Sequence, residues 1–253
     1  MNMQDIFSED TGSGTPLVLV HGFLGSSDMW SPQIKFFKDD FRVIVPALPG
    51  FGKSSTIKPC NTIECMAKSI LNFLDKEGIE NFYLLGHSMG GMVVQEMVKI
   101  AAEKILKLVC YGTGPRGNIP GRFETIDQSR KQLKINGLKD TAYRIAKTWF
   151  IEEEKAKYFY LCEEAGKQTS AEAADKGLVA MKKWNGIKNL KNIKNETLIV
   201  WGDQDRAYNL SQVETLNKNI PNSNLKVIKN CSHNVHLENP DEFNIIVEEF
   251  LKK

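Results

Sequence analysis

No run of apolar residues in this sequence approaches the roughly 20 needed to span a bilayer, so no membrane-spanning helix is expected. Neither sign of charge prevails. The 33 Lys and Arg against 31 Asp and Glu leave a formal net charge of +2, and the basic residues are scattered along helical stretches rather than gathered in a patch. Nucleic acid is therefore not an expected partner. The opening M-N-M-Q-D-I-F-S-E-D has no basic segment followed by an apolar one, so a secretory leader is not expected. Cysteine is sparse: Cys60, Cys65, Cys110, Cys162 and Cys231 are odd in number and form no C-x-x-C pair. That speaks against a metal site and makes a reducing cytoplasm the default expectation. Histidine is sparser still. Only His21, His87, His233 and His236 are available to any chemistry that needs an imidazole.

What is present is the makings of a layered core. The chain has 253 residues, of which 42% are hydrophobic and 25% charged, as in an ordinary globular protein. Short β-branched runs, P-L-V-L-V (16–20), F-R-V-I-V (41–45), F-Y-L-L (82–85), I-L-K-L-V-C-Y (105–111), T-L-I-V-W (197–201) and L-K-V-I-K (225–229), read as strands covered on both faces. An edge strand is expected in the D-I-F-S-E-D segment before Gly12. Helical patterns at 62–76, 89–102, 210–219 and 240–251 alternate with the strands, which predicts a mostly parallel sheet with helices on both faces. From about residue 118 to 190 this rhythm stops. Four consecutive amphipathic helices are expected there, at 122–136, 139–150, 152–165 and 170–184, too long a stretch for an ordinary connection. The division that follows is a core of residues 1–117 and 191–253 with a helical cap, 118–190, inserted in it.

The segment L-L-G-H-S-M-G-G (84–91) places Ser88 between Gly86 and Gly90 where a strand turns into a helix. A serine on such a strained turn points its hydroxyl outward, and side chains two positions away would collide as the chain reverses. The helix that follows aims its free amides and the positive end of its dipole at the turn. A nucleophilic serine needs a base and the base an orienting acid. W-G-D-Q-D offers Asp203 and Asp205 at a strand end, and His233 and His236 lie near the C-terminus.

These motifs, taken in order, resemble the α/β-hydrolase superfamily: H-G-F-L-G at 21–25, P-G-F-G-K-S at 49–54, G-H-S-M-G-G at 86–91, W-G-D-Q-D at 201–205 and H-N-V-H-L-E-N-P at 233–240. The resemblance implies an α/β-hydrolase fold, with a mostly parallel central sheet, helices on both faces and an inserted helical cap. It selects Asp205 over Asp203 and His233 over His236, which it leaves as a pocket or surface residue. It implies a triad of Ser88, Asp205 and His233, with an oxyanion hole formed by the backbone amides of Phe23 and Met89. It implies no cofactor and no metal. Three positions depart from the common pattern: Ala47 stands where an acid often sits, Ser232 where a glycine does, and Asn209 where a proline does.

Ser88 argues against the branches of the fold that use an aspartate nucleophile. His87 and Asn234 depart from the pattern of its carbon–carbon bond hydrolases, and Met92 from that of its menaquinone-pathway synthase. What remains resembles the 3-oxoadipate enol-lactonase and small carboxylesterase group, so the expected activity is cleavage of a small carboxylic ester or lactone through an acyl-enzyme. A diketone-type carbon–carbon hydrolase and a triad-retaining small-molecule receptor stay open as alternatives. The expected partner is a small-molecule substrate, with no nucleic acid and no membrane, and a homodimer is left open. Among the cap aromatics Trp149, Phe150, Tyr158, Tyr160 and Trp184 are candidate pocket walls. Arg116, Arg122 and Arg130 are candidates for holding a substrate carboxylate. Trp184, Arg122 and Trp149 are the substrate-binding residues expected.

Overall fold

A computed structural model describes residues 5–253; the first four residues of the stretch read for a leader lie outside the described residues. Seven strands, β1 (Ser8–Thr11), β2 (Pro16–Val20), β3 (Arg42–Pro46), β4 (Phe82–His87), β5 (Ile105–Tyr111), β6 (Thr197–Gly202) and β7 (Ser223–Ile228), form one sheet in the order β1-β3-β2-β4-β5-β6-β7. Only β1 runs antiparallel, against β3.

The continuous apolar runs are explained by alternation between two cores. In β2, Val18 and Val20 face one core while Leu17 and Leu19 face the other. The pairs Leu84/Leu85, Cys110/Tyr111 and Ile199/Val200 divide in the same way in β4, β5 and β6. Both faces are covered, so the centres of these strands are apolar on both sides. Helices α1 (Ser31–Phe37) and α9 (Pro240–Lys252) close one face through Phe37, Phe243 and Val247. Helices α2 (Ile63–Lys76), α3 (Met89–Ala101) and α7 (Leu210–Asn219) close the other through residues such as Ile70, Val94 and Leu216. The short α8 (Val235–Glu238) precedes α9.

Helix starts follow their caps. Thr62 accepts a hydrogen bond from Cys65 N at 3.1 Å to begin α2. Asn239, followed by Pro240 in the first turn, begins α9. Helix α1 was not read from the sequence, because S-P-Q-I-K-F-F spans only two turns and shows no resolvable period.

Between β5 and β6 lie α4 (Ile126–Lys147), α5 (Phe159–Gln168) and α6 (Ala171–Lys183). The two helices expected at 122–136 and 139–150 occupy the span of α4, interrupted where the sequence breaks them, because Gly137 with φ 76° and ψ 178° is not helical. Helix α4 starts at Ile126 because Thr125 and Gln128 form a reciprocal capping box, which leaves 122–125 as loop. The helix expected at 152–165 begins later, at Phe159, after a short 3-10 turn over Glu153–Lys155.

The sequence reading named no disulfide, and the structure contains one. Cys60 and Cys65 form a disulfide just before and within the first turn of α2, and Cys110, Cys162 and Cys231 are buried thiols. An odd count excludes complete pairing but not a single pair. The bond removes the ground on which a reducing compartment was expected. Among the described residues no helix is long and apolar enough to cross a membrane.

Candidate active site

Ser88 sits between the last residue of β4 and the first of α3 with φ 54° and ψ −115°, a backbone conformation that costs a non-glycine residue about 1–3 kcal/mol. The strain is held by three hydrogen bonds. Ser88 N donates to Tyr111 O at 2.9 Å, while Ser88 O accepts from Met92 N at 3.3 Å and from Thr113 Oγ1 at 2.8 Å. The flanking glycines are required by contact. A Cβ on Gly86 would lie 2.3 Å from Gly90 O, and one on Gly90 would lie 2.3 Å from Val20 O.

Asp205 and His233 meet at the C-terminal edge of the sheet, 2.9 Å apart from Oδ2 to Nδ1, with both side chains essentially buried. The acid is fixed from its own turn: Oδ1 accepts from Ala207 N at 2.7 Å and Tyr208 N at 3.0 Å. Asp203 faces elsewhere, accepting from Asn230 N at 2.8 Å. The loop bearing His233 is pinned by Glu238, whose two oxygens accept from Ile151 N at 2.6 Å and Ser232 N at 2.5 Å. Burial raises the Glu238 carboxyl above its usual range, against these two amides. Beneath the base, Tyr111 Oη donates to His233 O at 2.8 Å and His87 Nε2 donates to the same carbonyl at 3.2 Å. Burial, aided by the neighbouring imidazoles of His233 and His236, holds His87 well below its ordinary value, so it is neutral.

The H-G-F turn packs directly on the serine, since a Cβ on Gly22 would lie 3.1 Å from Ser88 Cβ. His21 anchors that turn: Nδ1 donates to Gly22 O at 2.8 Å and Nε2 accepts from Leu48 N at 3.0 Å. Among the described residues, neither Phe23 N nor Met89 N takes part in the turn and loop hydrogen bonds of this region. Met89 opens α3, where a helix leaves its amides free.

A cavity of about 20 Å³ lies above these groups, lined among others by Phe23, Ser88, Arg122, Trp149, Tyr208 and His233. That is little more than the space of one water.

Of the residues expected to bind substrate, Arg122 and Trp149 line this cavity, and the Trp149 ring lies 6.2 Å from that of His233. Trp184 does not, which corrects that expectation. Its indole Nε1 donates to Glu96 Oε2 at 3.1 Å, and the ring lies in a separate groove with Lys99 and Lys183. Phe150 is buried against Phe159, and Tyr160 is exposed. Arg130 is paired with Asp175 at 2.8 Å, and Arg116 bridges to Asn185 outside the cavity. His236, expected at a pocket or the surface, is instead buried under the site. It is packed on Trp30, with Nδ1 3.0 Å from Tyr111 Oη.

Sequence reading missed Tyr208. Its ring stacks beside His233 at 5.8 Å and lines the cavity, while its amide holds Asp205. Burial pushes its phenol up to about 12, opposed by Arg122 and by the hydroxyls of Ser88 and Thr113. Its place three residues after Asp205, inside the acid turn, was the available signal.

A seven-stranded sheet with a strained serine at the strand-to-helix turn, and a carboxylate–imidazole pair at two further strand ends, defines the class. The sequence pattern of the alpha/beta hydrolase fold family matches residues 15–240, and the chain belongs to that family. It is 27% identical over 264 residues to the 2-hydroxy-6-oxononadienedioate/2-hydroxy-6-oxononatrienedioate hydrolase of Comamonas testosteroni, covering 97% of this chain and 91% of that one. It is 26% identical over 252 residues to the pimeloyl-[acyl-carrier protein] methyl ester esterase of Legionella pneumophila strain Corby, covering 98% and 100%. A thermophilic esterase from Thermogutta terrifontis superposes with a TM-score of 0.87 at 26% identity, covering 98% of this chain and 93% of that one. These relatives support a hydrolase.

Proposed function

We propose that the protein is a serine hydrolase that cleaves a small carboxylic ester or lactone through an acyl-enzyme. The observation that carries this reading is the buried Asp205–His233 pair at 2.9 Å, whose imidazole lines the same cavity as the strained Ser88. Asp205 holds the Nδ1–H tautomer, which leaves Nε2 as the base. His233 takes the Ser88 proton as Oγ attacks the carbonyl carbon, and the carbonyl oxygen becomes an oxyanion stabilised by the backbone amides of Phe23 and Met89. Collapse of the adduct breaks the carbon–oxygen bond to the alcohol, which leaves with the proton from His233. Water, deprotonated by His233, then attacks the acyl-enzyme; the acid is released and Ser88 recovers its proton.

A serine-directed fluorophosphonate is expected to label Ser88 alone. Turnover of a short-chain p-nitrophenyl ester is expected to disappear in Ser88→Ala. Labelling elsewhere, or turnover that survives the substitution, refutes the assignment. A single burst followed by a stable adduct would point to a small-molecule receptor instead.

A second reading, hydrolysis of a carbon–carbon bond in a diketone acid, is favoured by the similarity to the Comamonas testosteroni enzyme. His87 and Asn234 count against it, and product analysis on an ester and a diketone acid separates the two.

A further inference from the structure

We propose that Arg122 is a carboxylate-binding residue of the cavity, so that the substrate is an ester or lactone carrying a carboxylate within a few atoms of its reacting carbonyl. The inference rests on Ser88 being the nucleophile, because it places the anion in the cavity that Ser88 and Arg122 both line.

The argument begins with an unpaired charge. Arg42 is bound to Asp10, Arg130 to Asp175, Arg144 to Glu124, and Arg206 to Glu153 and Phe150 O. Among the described residues neither Arg116 nor Arg122 makes an ion pair, and of the two Arg122 lines the cavity with Ser88 and His233. The acid nearest in sequence, Glu124, is already engaged by Arg144 at 2.8 and 3.1 Å and by the Ser129 hydroxyl. The face of Phe123 lies 5.0 Å from the Arg122 guanidinium, which supports a cation without neutralising it. Burial lowers its pKa, with only weak opposition from Tyr208 and Glu124. A guanidinium cannot escape such a position by losing its proton, so the site is incomplete until an anion fills it.

The loop that carries Arg122 is held in place. Gly117 N donates to Trp184 O at 3.2 Å, Asn209 Nδ2 to Pro120 O at 3.0 Å, and Phe123 N to Arg206 O at 3.2 Å. The last two bonds come from the acid turn, so the guanidinium is located relative to Asp205 and His233 rather than left on a free loop. Asn209, where the family pattern has proline, supplies one of them. Tyr208 sits beside Arg122 in the same wall and presents a hydroxyl to the same space. A planar fork and a phenol together suit the two oxygens of a carboxylate. The remaining walls, Ile119, Ile145, Met181 and Trp149, are apolar and would take the chain between carboxylate and carbonyl.

The test compares the mono-p-nitrophenyl ester of a short dicarboxylic acid with its carboxamide analogue, equal in size but uncharged. Wild-type protein is expected to prefer the anionic ester, and Arg122→Gln to reduce that preference roughly tenfold to a hundredfold, mainly through KM. Arg122→Lys is expected to recover part of it. A preference unchanged in Arg122→Gln overturns the proposal, as does a wild-type protein indifferent to the charge. Calorimetric binding of the free dicarboxylate to Ser88→Ala protein, with and without Arg122→Gln, gives a readout that needs no turnover. If Ser88 fails to label but the dicarboxylate binds in an Arg122-dependent way, the hydrolase reading falls and the anion site stands. No Arg122-dependent binding overturns the site itself.

Discussion

His21 gives the protein an acid weakness that can be measured. Both of its ring nitrogens are engaged in the neutral form, Nδ1 donating to Gly22 O and Nε2 accepting from Leu48 N. A proton on Nε2 would set one N–H against another in a ring that is 1% exposed. Burial therefore brings its pKa down from 6.5 to about 4, with the Gly22 carbonyl opposing. Above pH 6.5 neither folded nor unfolded chain binds this proton, and the residue adds no pH dependence. Below it the unfolded chain protonates first, so stability falls by about 1.4 kcal/mol per pH unit until the folded state also protonates. Across the window from 6.5 to about 4 the loss is about 3 kcal/mol, a large share of the 5–15 kcal/mol typical of a domain. His236, held at about 3 chiefly by burial, adds a loss of the same sign. Urea unfolding of wild type and His21→Gln, followed from neutral pH down to about pH 4.5, separates the two. Glutamine offers an oxygen to Leu48 N without titrating. Its stability is expected to fall less steeply, by about 1.4 kcal/mol per pH unit. Equal slopes in the two proteins, or a wild-type stability flat between about pH 6.5 and 5, would refute the reasoning.

Asp205→Asn should leave the fold intact but lower kcat about 10⁴-fold by favouring the wrong His233 tautomer; a loss below about tenfold, measured on a p-nitrophenyl ester, would remove Asp205 from that role. Reducing Cys60–Cys65 should cost about 2 kcal/mol of unfolding free energy, the chain entropy of a loop with sequence separation 5. Denaturation midpoints with and without dithiothreitol check this, and coincident midpoints would show that the bond does not form.

The sheet was legible because its strands carry their burial in the sequence. P-L-V-L-V and I-L-K-L-V-C-Y have the bounds expected, and β4 and β6 are only extended by the glycine-containing turns that follow. The candidate site was legible where spacing forces chemistry: Asp205 and His233 meet, and Gly22 packs on Ser88. The cap was less so. Its helices are half-exposed, so capping rather than periodicity sets their ends: the break at Gly137 falls where the sequence reading placed a boundary, but the Thr125–Gln128 box leaves no mark in hydrophobic spacing. Trp184 was misplaced for a related reason. Sequence shows that it ends a helix, but not that Glu96 of α3 takes its indole N–H. Tyr208 was overlooked because it follows the W-G-D-Q-D motif at a position that motif reading treats as filler.

The site is built from two kinds of structure, and they should respond differently to change. Its floor is held by backbone: the Ser88 amide on Tyr111 O, Asp205 on two consecutive amides, and the His233 carbonyl on Tyr111 and His87. None of these groups can move without breaking the sheet edge or a buried hydrogen bond. Over it lie α4, α6 and the segment 117–123, tied to the acid turn by Asn209 Nδ2 on Pro120 O and Phe123 N on Arg206 O, and to the loop of His233 by Asn234 N on Trp149 O. A substitution in this layer is therefore expected to reshape the cavity of about 20 Å³ without disturbing the Asp205–His233 pair.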